Sequence, residues 1–263
     1  MRNKSGVSEC RSILKDVNEL IDIHLDLKGI GTSPHHKHKS SCRDLTDRPR
    51  AGLDVSVLIG KIYDKVRENW DNAKRHCKSE KNWRFEPQTG ISAKNDSPEV
   101  RFERAIVSIP EEVWKDASNW VNQVPTVSGL VDPDADRGRR IDLVHKSGTS
   151  AYELIELKVA SDTPLYAAME ILKYAVLYVF CRQDRRVSRY IDRTRELLKA
   201  EKIHLRVLAP SIYYEKYDLS WLEARINSGL SSFRAERQLP FEMDFKFEGI
   251  ELIQSRTPVA WKP

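Results

Sequence analysis

Asp142, Glu156 and Lys158 are the residues of this chain whose types and spacing could do chemistry together. In the stretch 152–159, strand alternation sets Ile155, Leu157 and Val159 on one face and Leu154, Glu156 and Lys158 on the other. Such a strand can bury one face and present a carboxylate beside an ammonium on the second. Asp142 lies one hairpin earlier, before the turn-forming residues 146–150, and pairing across that turn sets it roughly opposite Glu156 with both side chains on one face. Two hard oxygen ligands suit Mg²⁺ or Mn²⁺, an ion that keeps several waters, lowers the pKa of one and neutralises charge on a phosphate under attack. A nearby lysine can orient or deprotonate that water. Desolvation and a metal lower its pKa from about 10.4 while carboxylates raise it, so the roles of base and electrostatic stabiliser both stand open.

The elements around these residues follow from periodicity and turn signals. Apolar residues three and four apart predict a helix over 9–27 (Ile13, Leu14, Val17, Leu20, Ile21) and another over 53–78 (Val55, Leu58, Ile59, Ile62, Val66, Trp70). Between them, 29–50 has few aliphatic residues and reads as a polar linker. Residues 83–85 form a short extended candidate. Ser97, Pro98 and Glu99 are a cap, first position and first-turn acid for a helix reaching 107, and a further helical segment is expected over 110–121. After a turn-rich loop at 132–138, a hairpin is expected from strands 139–145 and 152–160. Residues 161–164 then start a long helix over 165–182 with a broad apolar surface. A polar helix over 185–200, a strand over 203–209, a helix over 218–228 and a weakly alternating tail over 241–253 complete the reading.

IDLV at 141–144 and IELK at 155–158, followed by a helix, resemble the core of the PD-(D/E)XK nuclease superfamily over roughly 97–210. The order of an acidic helix, a strand with Asp, a strand with Glu-x-Lys, a crossover helix and a further strand is similar too. The resemblance implies an α/β, restriction-endonuclease-like mixed sheet flanked by helices and a metal-dependent phosphodiester hydrolase. By position, Asp142, Glu156 and the Leu157 carbonyl would hold Mg²⁺ or Mn²⁺, and Lys158 would be the catalytic lysine. The helix carboxylate would be Glu103 or Glu99. They share a face four apart, and Glu103, among Phe102, Ile106 and Val107, is favoured as the one needing a buried partner. Ile141 stands where the family name has proline. Glu170 and Tyr174 have the spacing of the Gln-x-x-x-Tyr of the RecB-like branch, with Glu in place of Gln.

Other residues are weighed against blander uses. Arg137, Arg139 and Arg140 precede the Asp142 strand and are expected substrate contacts, with Tyr174. Arg182, Arg185, Arg186, Arg189 and Arg193 would make a basic stripe on a helix, able to follow a phosphate backbone and equally able to be a solvated face; Arg185 and Arg189 are its candidate contacts. His35, His36, His38 and Cys42 have zinc-ligand types, but their spacing fits no standard finger and favours the linker. Two rival matches to (D/E)-x-K, at 26–28 and 244–246, lack the strand-then-helix context. Trp114, Trp120, Trp221 and Tyr213 read as core or interface anchors.

The 263 residues, 40% hydrophobic and 32% charged, suit one main domain over 81–263 after a helical region over 1–80. No run of eighteen apolar residues and no export signal is evident, so a cytoplasmic location away from membranes is expected, with Cys10, Cys42, Cys77 and Cys181 reduced. A net charge of +5 permits an anionic partner, here nucleic acid with DNA expected before RNA. Oligomeric state is open, with a homodimer among the options.

Overall fold

The computed structural model describes residues 11–27, 33–47, 52–87, 97–113 and 115–251. Cys10, Trp114, Lys28 and the outer parts of the 29–50 segment lie outside the described residues. The architecture is α/β: a five-stranded mixed sheet flanked by helices, with strand order β1-β2-β3-β4-β5. β1 (Trp120–Pro125), β2 (Arg140–Gly148) and β3 (Ala151–Leu157) form an antiparallel meander, and β4 (Lys202–Pro210) and β5 (Glu242–Ile250) add in parallel. Parallel pairing requires crossovers. They are α5 (Pro164–Gln183) and α6 (Ser220–Arg237).

α5 starts where Thr163 accepts the Tyr166 N–H and Pro164 takes the first turn, as those residue types dictate. It is buried on nearly every side, including Ile171, Leu172, Val176 and Phe180. Its length and apolar character would let it cross a membrane, but 89% of its most apolar stretch is buried inside the protein, which is the pattern of a core helix. The N-terminal helices α1 (Val17–His24) and α3 (Val55–Asp71) join the same continuous core, α3 lying on α5 and α6. α6 approaches so closely that a Cβ at Gly229 would stand 2.9 Å from the Val55 and Ser56 backbone. On the other face of the sheet, α4 (Pro98–Val107) lays Phe102, Ile106 and Val107 over Trp120, Leu143, Ile155, Leu157 and Leu208.

Four expectations change. Residues 110–113 and 115–119 are turns and a short 3-10 segment leading into β1, because Trp120 is buried under α4, Val121 and Val124 are buried in the main core beside β2, and strand pairing outweighs local helix signals. Residues 83–85 form no strand; Trp83, fully buried, instead donates its N–H to the Pro125 carbonyl. Within 29–50, His35–Lys37 is a 3-10 turn and α2 is Lys39–Asp47, with His36, Cys42 and Leu45 buried. Residues 185–200 are loop with two 3-10 turns: Arg186 is drawn to Asp184 and Asp71, and Arg193 donates to the Cys181 and Asp184 carbonyls. The helical arginine stripe therefore does not form.

Candidate functional site

The β2–β3 register pairs Leu143 with Ile155 and Val144 with Leu154, and its continuation sets Asp142 directly across from Glu156. Leu143, Ile155 and Leu157 bury themselves under α4, so the alternate residues Asp142, Leu154 and Glu156 face α5. Lys158 stands just past the end of β3, where its N–H donates to the Leu208 carbonyl at 2.9 Å. Its Nζ donates to Glu156 Oε1 at 2.7 Å and to Glu170 Oε2 at 3.3 Å, with Asp162 Oδ2 at 3.9 Å. Asp142 Oδ2 accepts the Leu157 N–H at 3.0 Å. The three residues singled out in the sequence thus share one site, completed by Glu170 from the second turn of α5.

The charges do not balance. Asp142, Glu156 and Glu170 bring three carboxylates to two ammoniums, Lys158 in contact and Lys173 acting on Glu170 and Glu156. Burial and then the charge of Asp142 and Glu170 push Glu156 well above the usual carboxylate range. Asp142 is pushed up to about 7, by burial first, against the opposing Leu157 N–H and Lys158 charge; its partly exposed carboxyl tempers that shift. For Lys158, burial favours the neutral amine, but Glu156 and Glu170 outweigh it and hold the ammonium protonated. Glu170 stays below its ordinary value because, against burial, the Lys158 and Lys173 ammoniums favour its anion. Lys173, one turn further on, is lowered to about 8 by burial and donates to Asn18 Oδ1 at 3.0 Å.

The helix carboxylates separate cleanly. Glu103, 2% exposed, accepts from Asn122 Nδ2 and Gln123 Nε2, each at 2.7 Å, and burial raises it against those amides. Gln123 Nε2 also lies 3.5 Å from Asp142 Oδ1, so this amide stands between the two carboxylates. Gln123 has φ 49°, a left-handed conformation that a non-glycine residue holds only when its surroundings impose it. Glu103 is therefore linked to the site through an amide. Glu99 instead accepts from Ser161 Oγ at 2.7 Å and the Val159 N–H at 3.4 Å, bracing the turn after Lys158.

The remaining sequence candidates scatter. Arg139 and Arg140 lie close enough to act electrostatically on Lys173 and on Glu103 respectively. Arg137 is exposed and paired with Asp134. Arg185 and Arg189 are exposed beyond the far end of α5, a helix of 20 residues, and the structure does not bring them to Asp142. Tyr174 is at the site electrostatically, but only 6% exposed, so it supports the cluster and offers no surface to a substrate. The rival Asp244–Lys246 motif puts Asp244 in ion pairs with His204 and Arg206 in the polar row on the opposite face. Gln123, Lys173, Asp162 and Tyr166 were not singled out in sequence. The three-and-four spacing of Tyr166, Glu170, Lys173 and Tyr174 was the available signal, hidden in an apolar run.

Among the described residues, no three His, Cys, Asp or Glu side chains stand close enough to hold a metal ion by themselves. An ion that needs only one or two carboxylates, a carbonyl and its own waters still fits the donor set, and the unbalanced negative charge favours one. No protein-family model, curated protein or solved structure matches the chain.

Proposed function

We infer that the protein is a metal-dependent nuclease with a PD-(D/E)XK, restriction-endonuclease-like core, hydrolysing phosphodiester bonds in nucleic acid, with DNA as the expected substrate. The observation that carries this reading is the direct opposition of Asp142 and Glu156 across the β2–β3 hairpin, with Lys158 Nζ 2.7 Å from Glu156. Three costly polar groups held on one buried face need a use, and binding alone supplies none. The order α4, β1, β2 with Asp, β3 with Glu-x-Lys, α5, β4 supports it as well.

Asp142 and Glu156, with the Leu157 carbonyl, would hold Mg²⁺ or Mn²⁺, which supplies a more acidic water and charge neutralisation at the phosphate. Asp142 has to be ionised to bind a cation. Lys158, hydrogen-bonded to Glu156 and Glu170, serves as an electrostatic stabiliser of the developing phosphate charge. Glu170 holds the Lys158 ammonium in place. Gln123 orients Asp142 and keeps Glu103 from it. Arg139 and Arg140 attract the polyanion to the partly exposed Asp142 side.

The test is incubation with linear, circular and single-stranded DNA and with RNA, in Mg²⁺, Mn²⁺ or chelator. Cleavage that needs the metal and disappears in Lys158→Ala is expected. Binding without cleavage under every condition would leave a nucleic-acid-binding module on a nuclease-like scaffold.

A further inference from the structure

Three ammonium groups surround one ring beside Lys158. The Nζ atoms of Lys37, Lys173 and Lys158 lie 5.1, 5.6 and 5.9 Å from the centroid of Tyr166 in the first turn of α5. Two are enclosed: Lys173 is 4% exposed and the Lys158 side chain 9%. Lys37 is different, with 46% of its side chain exposed. Asp162 joins it to the catalytic lysine, Oδ1 lying 3.1 Å from Lys37 Nζ and Oδ2 3.9 Å from Lys158 Nζ. Lys158 is already committed to Glu156 and Glu170, so the half-exposed Lys37, held only by the partly exposed Asp162, is the cation whose pairing can be exchanged for a phosphate.

The seat of Lys37 is built into the core. Buried Asp22 of α1 accepts the N–H groups of His35 and His36 at 2.8 and 2.9 Å and pairs with His36 Nδ1 at 2.6 Å. His36, fully buried, stacks on Tyr166 at 5.4 Å, and its carbonyl lies 3.5 Å from Thr163 Oγ1, the cap of α5. The backbone immediately before Lys37 is thus tied both to α1 and to the helix that carries Glu170. A long surface lysine ordinarily loses much rotamer freedom when it grips a ligand, and a fixed backbone reduces that cost.

We propose that Lys37 is a phosphate-contacting residue of the same site, so that the N-terminal segment forms one wall of the catalytic cleft and takes a backbone phosphate of the nucleic acid beside the one Lys158 faces. This rests on the nuclease reading and adds a substrate contact to it. An exposed Lys–Asp pair contributes little to stability, so Lys37→Ala is expected to fold and melt as the wild type does.

The experiment measures anisotropy of end-labelled duplex and single-stranded DNA with the full chain in chelator, as a function of salt, followed by single-turnover cleavage in Mg²⁺. Loss of one phosphate contact lowers the slope of log K against log salt by about 0.9 for duplex or about 0.7 for a single strand. Lys37→Ala should show that loss, Lys37→Arg should recover it, and Lys202→Ala, in the exposed pair with Glu242, should not show it. Single-turnover cleavage at subsaturating DNA should fall in Lys37→Ala in step with the lost affinity and recover in Lys37→Arg. An unchanged slope in Lys37→Ala overturns the contact, while metal-dependent cleavage by the wild type leaves the nuclease reading standing. If the wild type binds no nucleic acid, both fail; if it binds through Lys37 and never cleaves, the contact survives and the catalytic reading does not.

Discussion

Lys158 holds the most consequential position at the scale of single residues, because it is the one ammonium in contact with Glu156 and Glu170. Lys158→Ala is expected to lower single-turnover cleavage by about 10² to 10³, the usual loss for one preorganised electrostatic group. It also leaves Glu156 buried without its cation, so the melting temperature should fall. Asp142→Ala should abolish cleavage with weakened Mg²⁺ binding, whereas Lys158→Ala should bind Mg²⁺ at least as well; a metal titration separates the two. Asp142 carries a pH signature. Its folded pKa of about 7 exceeds the ordinary value, so the folded state holds the proton more tightly and stability falls as pH rises from the unfolded pKa towards 7. Asp142→Asn in chelator should therefore gain stability over wild type as pH rises from about 4 to 7 and keep a gain on the order of 2 kcal/mol above that, read by urea denaturation. A wild type no less stable than the variant at pH 8 would remove the buried-charge account.

Elements explain why the sheet can hold so polar a site on one face. The outer face carries a row across all five strands, Trp120, His145, Glu153, His204 and Asp244, each directly paired with the next. His145 lies between Asp116 Oδ2 at 2.8 Å and Glu153 Oε2 at 2.9 Å, with Trp120 stacked on it at 4.2 Å. Burial alone would lower its pKa, but Glu153 and Asp116 outweigh burial and raise it. The sign follows: the stabilisation is full below the unfolded His pKa of about 6.5 and is lost as pH rises through the higher folded value. His145→Gln should cost about 1–2 kcal/mol at pH 5.5 and distinctly less at pH 9, measured by urea unfolding at both. An equal cost at both would mean that packing on Trp120, not charge, is what His145 supplies. The same row shows why the Asp244–Lys246 motif is structural, since Asp244 is committed to His204 and Arg206.

At the scale of the whole molecule, α1 and α3 are bound to the sheet's own helices through one core, in which Leu58, Ile62, Val66 and Trp70 of α3 are buried with Phe180 of α5 and Phe233 of α6. The α3–α6 contact depends on Gly229, where a Cβ would meet backbone, which cannot move aside as a side-chain tip can. Gly229→Ala is expected to destabilise by about 1–3 kcal/mol, the usual cost of overpacking. Its unfolding should remain one transition with coincident far-UV and near-UV signals, because α3 and the sheet lose their packing together. Two separated transitions would show that the N-terminal helices fold apart from the sheet.

The hairpin that carries Asp142 and Glu156 was legible in the sequence because strand period 2 and the turn at 146–150 are local, and a one-residue slip would have sent the carboxylates to the wrong face. The caps of α4 and α5 were legible for the same reason: Ser97 and Thr163 act within three residues of themselves. Only the tertiary structure decided the rest. β1 forms because Trp120 and Val124 find β2 and α4, partners that no window of sequence contains. The arginines of 185–200 leave the helical pattern because carbonyls and carboxylates of distant segments accept from them. Glu103 rather than Glu99 joins the site through an amide of β1, and Glu170 rather than a sequence neighbour completes the Lys158 cluster. Those choices depend on contacts between residues 12 to more than 100 positions apart, whose burial sets which charges stay ionised, and local periodicity carries no record of them.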